Sequence, residues 1–92
     1  MSLLTDEDVD SRLAGSPWAR RGDRIVREAT FADFAAAIAF VNAVAAAAEA
    51  VDHHPDILVH DYKAVRLELS THSAGGLTEA DLALAAQIDA LP

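Results

Sequence analysis

The sequence predicts an α+β fold. In it a four-stranded antiparallel sheet carries three helices packed on one face, a two-layer domain in the order α-β-β-α-β-β-α. Three observations predict this. Thr5-Asp6-Glu7-Asp8, Thr30-Phe31-Ala32-Asp33 and Thr78-Glu79-Ala80-Asp81 repeat one helix-start pattern, with Thr at the N-cap and Asp at N3. Two pairs of short β-prone runs flank tight turns, and each pair reads as an antiparallel hairpin. The length of 92 residues leaves room for one core, so residues 1–92 read as one domain.

The first helix is predicted from about Asp6 to Leu13, with Gly15 as its stop. Leu4 with Val9, and Leu77 with Leu82, sit at the N′ and N4 positions of the first and third helices, where a hydrophobic staple forms. Trp18–Arg20 and Arg24–Thr30 are strands around Arg21-Gly22-Asp23. The long second helix runs from Phe31 to about Val51. Phe31, Phe34, Ile38, Val41, Ala45 and Ala48 form one face, and Phe40, Val44 and Val51 form a second stripe. So wide an apolar surface implies more than one packing partner, a sheet and another helix or subunit.

Pro55 disfavours helical geometry at His54, so the helix must unwind there, and an unwinding end can turn two adjacent imidazoles into one cleft. Ile57–Tyr62 and Ala64–Thr71 are the remaining strands. In the latter, Val65, Leu67 and Leu69 oppose Arg66, Glu68 and Ser70. The last helix, Glu79–Leu91, buries Leu82, Ala85, Ala86 and Ile88.

Composition excludes several classes of function. Seven basic against fifteen acidic residues give a net charge of −8, which argues against a nucleic-acid partner. The cluster Arg20, Arg21, Arg24 and Arg27 reads as solvated strand and hairpin positions. With no cysteine there is no disulfide, thiolate metal site or cysteine nucleophile. The start of the chain lacks a signal-peptide pattern, and the apolar run Ala35–Ala48 is too short and alanine-rich to span a bilayer. A soluble cytoplasmic protein with no membrane partner is the expectation.

The chemistry-bearing candidates are histidines. His53 and His54 close the long helix in Glu49-Ala50-Val51-Asp52-His53-His54-Pro55, and His72 lies in Thr71-His72-Ser73-Ala74-Gly75-Gly76 before the last helix. Each alone is ordinarily a surface or capping residue. Two stretches that could share a cleft make them a candidate acid/base set, since imidazole titrates near neutrality. Glu49 is at i and His53 at i+4, so those side chains can meet. Asp81 is explained by its capping box, with orientation of an imidazole as a secondary role. His60 stands apart, without a role. No phosphate loop, Ser-His-Asp triad or zinc spacing is present.

Three segments together are specific: Phe31-x-Asp33-Phe34-x-x-Ala37-x-x-Phe40, Ala48-Glu49-x-x-Asp52-His53-His54-Pro55, and Ser70-Thr71-His72-x-x-Gly75-Gly76-Leu77-Thr78-x-x-Asp81. The chain in this respect resembles the pterin-4a-carbinolamine dehydratase family, from Trp18 to Ile88. The resemblance implies dehydration of a 4a-hydroxytetrahydropterin to the quinonoid dihydropterin and water, without metal or tightly held cofactor. The pathway implied is pterin recycling after an aromatic amino acid hydroxylase. It implies that His53, His54 and His72 are catalytic and line the pterin pocket. His53 and His72 would form the proton-transfer pair, and His54 would bind substrate. Asp52, Ser70, Thr71 and Ser73 would contribute substrate contacts, many through backbone, with Glu49 and Asp81 as supporting carboxylates. Assembly as a homodimer or homotetramer is implied too. Some relatives act instead as a dimerisation cofactor of a homeodomain transcription factor or as chaperone-like accessory proteins, which makes a non-enzymatic interaction protein the alternative. The chain departs from the family pattern at Ile57, where many members carry an aromatic residue, and in one extra residue before Tyr62.

Overall fold

The computed structural model describes residues 2–92. Seven elements follow in the expected order: α1 (Asp6–Arg12), β1 (Ala19–Arg21), β2 (Arg24–Thr30), α2 (Phe34–Val51), β3 (Asp56–His60), β4 (Ala64–Leu69) and α3 (Glu79–Asp89). A short 3₁₀ turn, His72–Ala74, precedes α3. The strands form one antiparallel sheet in the order β1-β2-β4-β3, with Ile25 opposite Leu69, Arg27 opposite Leu67 and Val59 opposite Val65.

Strand β4 is central, and its alternation does what a half-buried strand must. Val65, Leu67 and Leu69 enter the core, while Arg66 and Glu68 turn to the open face. The three helices cover the apolar side. Each fully buried Leu, Ile or Val there contributes roughly 1.5–3 kcal/mol of transfer free energy. On the open face Arg24 pairs with Asp56 and Glu68, and Arg66 pairs with Glu28 and Glu68. The arginine cluster is thus mostly neutralised inside the chain, Arg20 by Asp10 and Asp6. Arg27 departs from the solvated reading. Its register beside Leu67 puts it on the helix side, over the Phe40 ring and 3.2 Å from Asp89.

Helix α2 begins later than predicted. Thr30 ends β2, and Asp33, not Thr30, is the N-cap, accepting from the Ala36 N–H at 2.8 Å. Phe31 is thereby freed to prolong the β2–β4 pairing, its N–H bonded to the Lys63 carbonyl and its ring 4.9 Å from Phe40. The inward face is also different. Ala37, Val44 and Ala48 are buried, whereas Ala45 is exposed and Phe34 and Val51 are 54% and 46% exposed. Small residues at i, i+7 and i+11 let the helix approach the sheet closely, which a Phe-lined stripe would prevent. By length and hydropathy this 18-residue helix could cross a membrane, but here those three residues dock it on the core.

Two further corrections follow from packing. Strand β3 stops at His60, because Asp61 and Tyr62 turn the chain with φ of 49° each. This non-glycine pair costs on the order of 1 kcal/mol or more per residue. On α3 the buried set is Asp81, Leu82, Leu84, Ala85 and Ile88, while Ala86 is exposed. The staple positions do meet the core, and the backbone ties them together: Leu4 N–H donates to the Leu77 carbonyl at 2.8 Å.

Candidate active site

Helix α2 ends one residue before the histidines. Asp52 takes the left-handed conformation, with φ 50° and ψ 46°. His53 N–H then reaches back to the Ala48 carbonyl and Asp52 N–H to the Glu49 carbonyl, the pair of bonds that defines a Schellman stop. The reversal therefore occurs at Asp52 and not at His54, where Pro55 suggested it. Asp is among the few non-glycine residues that tolerate this geometry.

That reversal sends the two imidazoles to different partners. His53 turns inward, its Nε2 2.6 Å from Asp81 Oδ1, with only 16% of its side chain exposed. His54 stays outside, its Nε2 2.6 Å from Glu49 Oε2. Glu49 thus serves His54 and not His53, the i+4 partner expected for a continuing helix. The Glu49 carboxylate, by hydrogen bond, raises the His54 pKa above its ordinary 6.5, with Asp52 adding a smaller charge effect.

Asp81 is where the two halves of the site meet. It is fully buried and closes the capping box of α3, its Oδ2 accepting from the Thr78 N–H at 2.9 Å. The same oxygen accepts from the Thr71 hydroxyl at 2.7 Å, and the Thr71 and Thr78 hydroxyls lie 2.8 Å apart. Oδ1 is left for His53. One carboxylate thereby ties the end of α2 to the β4–α3 connection. Asp8 and Asp33 stand in the same sequence pattern and are exposed. The pattern alone does not separate the three, but Leu77, Leu82 and Leu84 around Asp81 are the signal of its burial.

The connection itself is tightly folded. Thr71 N–H donates to the Gly76 carbonyl, and the Thr71 carbonyl accepts from Ala74 and Gly75. Gly75 at φ 76° makes the reversal that closes the turn. Both backbone groups of Thr71 and its hydroxyl are thus engaged within the chain, and the Ser70 hydroxyl donates to the Asp23 carbonyl. His72, Ser73 and Gly75 are the exposed residues of this stretch. His60, assigned no role, sits between Glu28 and Asp61 on the open face, and its hydrogen bonds to these carboxylates raise its pKa. Among the described residues no three His, Asp or Glu side chains gather as a metal cluster. Two concavities have no histidine in their linings. One of about 280 Å³ is lined by Trp18, Leu82 and Asp89, and one of about 210 Å³ by Leu4, Asp23 and Gly76.

Known proteins resemble this chain over nearly all of its length. The family model described as Pterin 4 alpha carbinolamine dehydratase matches residues 2–91. A protein of Mycobacteroides abscessus named "Putative pterin-4-alpha-carbinolamine dehydratase" is 50% identical over 90 residues, covering 97% of this chain and 95% of its own. One of the same name from Acidobacterium capsulatum is 51% identical over 92 residues, 99% of each. Among solved structures, a transcriptional coactivator/pterin dehydratase of Brucella melitensis superposes with a TM-score of 0.88 at 33% identity, over 97% of both chains. A pterin dehydratase-like protein described as a RuBisCO assembly factor in the alpha-carboxysome gives 0.63 at 28% identity, over 79% of this chain and 83% of its own. With the family model matched over nearly its whole length and half its residues shared with such relatives, the chain belongs to the pterin-4-alpha-carbinolamine dehydratase family.

Proposed function

We propose that this chain dehydrates a 4a-hydroxytetrahydropterin to the quinonoid dihydropterin and water, as a soluble cytoplasmic enzyme of pterin recycling after an aromatic amino acid hydroxylase. The observation that carries the reading is the buried Asp81. It joins His53 to Thr71, and Thr71 is followed directly by His72. The reaction removes a proton from N5, forms the N5=C4a double bond and expels the C4a hydroxyl as water. A neutral imidazole takes the first proton and an imidazolium supplies the second, each worth roughly 10²–10⁴-fold. His53 and His72 are the transfer pair. His54, held toward its charged form by Glu49, is the third catalytic residue of the pocket and binds the polar edge of the pterin. Asp52 and Ser73 add substrate contacts, together with Ser70 and what the closed Thr71 turn presents. No metal or resident cofactor enters these steps.

The protein acts as a homodimer or homotetramer. Phe34 and Val51, exposed on α2, supply apolar surface for subunit contact. The second reading, an accessory protein without turnover, draws on that same surface and on the neighbour described as an assembly factor. The decay of 4a-hydroxytetrahydropterin separates them. Wild type is expected to accelerate it, and His53→Ala and His72→Ala each to lose about 10²-fold or more. Decay at the uncatalysed rate with wild type overturns the enzyme reading. Full activity in both variants overturns the assignment of roles.

A further inference from the structure

We propose that His60 is a proton-operated latch: as an imidazolium it fastens one end of edge strand β3 across β4 to β2, and its deprotonation loosens that end alone. The inference stands on the open face of the sheet and needs no assumption about the chain's reaction.

Strand β3 lies at the edge of the order β1-β2-β4-β3, so β4 is its only strand partner among the described residues. Side chains on the open face fasten it a second time by reaching over β4 to β2. At the end next to His53 and His54, Arg24 of β2 donates to Asp56 at 3.0 Å and to Glu68 of β4 at 3.2 Å. At the other end, His60 Nε2 lies 3.1 Å from Glu28 Oε2 of β2, and His60 Nδ1 lies 3.0 Å from Asp61 Oδ2 in the turn. The residue between is Ala64, opposite both His60 and Thr30, whose single methyl group leaves room for the span.

Ionised carboxylates only accept, so both contacts are hydrogen bonds only when both ring nitrogens carry hydrogen. The latch is therefore the charged ring. A neutral ring has one N–H: it surrenders one contact outright, and the other loses the charge that makes such bonds about twice as strong. The other charges facing the ring do not replace it. Arg66 of β4 is 3.9 Å from Glu28 Oε1 and 3.2 Å from Glu68, Lys63 of the turn lies over the Tyr62 ring, and the helices pack on the other side of the sheet. Asp61 and Tyr62 both hold a φ of 49°, a costly conformation for such residues, so this end of the hairpin gives when a tie is lost. The hydrogen bonds to Glu28 first, and to Asp61 next, raise the His60 pKa above its ordinary 6.5. The latch is thus shut below that value and opens as pH rises through the raised one. The Arg24 tie has no such step, because a guanidinium keeps its proton throughout.

The test is amide hydrogen exchange followed by NMR from below to above the observed His60 midpoint, each rate divided by the intrinsic rate at that pH. Protected amides around the His60–Ala64 pair are expected to exchange about two- to fivefold faster once His60 has lost its proton. Those around the Asp56–Glu68 pair should show no step at that midpoint. Two-bond ¹H–¹⁵N correlation should find both His60 nitrogens protonated below a midpoint that lies above 6.5. His60→Arg, a cation at every pH used, should abolish the step. A His60 midpoint at or below 6.5 overturns the proposal, as does an equal response at the two ends, or no step at all. A step that persists in His60→Arg belongs to another group and overturns it too. Should that variant not fold, the wild-type comparison of the two ends decides alone.

Discussion

At the scale of single residues, His53 and His54 are adjacent in sequence yet live in opposite surroundings. One lies against a buried carboxylate, the other beside an exposed one. The pairing of His54 with Glu49 has a consequence for pH. Because the folded pKa of His54 lies above its ordinary 6.5, the pair stabilises the fold below that value and loses its contribution as pH rises through the raised pKa. Glu49→Gln removes the largest cause, so an NMR titration of His54 should show its pKa falling toward 6.5. An unmoved titration would mean that the carboxylate does not hold the ring in solution. The stability difference between Glu49→Gln and wild type should likewise shrink as pH rises past the raised value. Both residues are exposed, so the energy involved is small.

At the scale of elements, three copies of one helix-start pattern end in three different roles, and denaturant unfolding can tell them apart. Asp33 is an exposed N-cap, and Asp33→Ala should cost about 1 kcal/mol. Asp8 only donates its N–H to Thr5 and stands 4.0 Å from Arg12, so Asp8→Ala should stay within about 0.5 kcal/mol. Asp81 holds a cap, a hydroxyl and an imidazole in the interior, and Asp81→Ala should cost about 2–4 kcal/mol. Equal losses at the three sites would show that burial adds nothing to the motif. The same triplet explains what could be read in advance. Helix existence, the hairpins and the histidine stretches follow from caps, alternation and turn residues, all of them local. Which aspartate is buried, that Asp33 and not Thr30 caps α2, and that Ala37 and not Phe34 faces the sheet depend on how elements dock, which no local pattern records. Glu49 meeting His54 is of this kind too. It required the left-handed Asp52, a conformation with a clear sequence mark only when the residue is glycine.

At the scale of the whole molecule, α3 supplies two of the most deeply buried side chains of the core. It is short, yet Leu84 and Ile88 are each 1% exposed. Leu84→Ala should cost about 2–5 kcal/mol out of a total stability on the order of 5–15. Thermal melts should show the loss, and a variant melting like wild type would place the centre of the core elsewhere. Subunit contact also belongs at this scale. Phe34→Asp should lower the mass seen by sedimentation if α2 is the contact surface, and an unchanged mass would move that contact to another face.

Asp89, near the other end of α3, accepts from the Trp18 indole N–H at 2.9 Å as well as pairing with Arg27. Asp81 and Asp89 are eight residues apart, about 12 Å along the helix axis. One end of α3 therefore holds the His53 imidazole through Asp81, and the other clasps the only tryptophan, itself 3% exposed. The molecule thus carries its own optical gauge. Indole emission reports whether the far end of α3 is seated, while the imidazole resonances report on the near end. Loosening at one end of α3 and loss of the whole fold can be watched as separate signals in one sample.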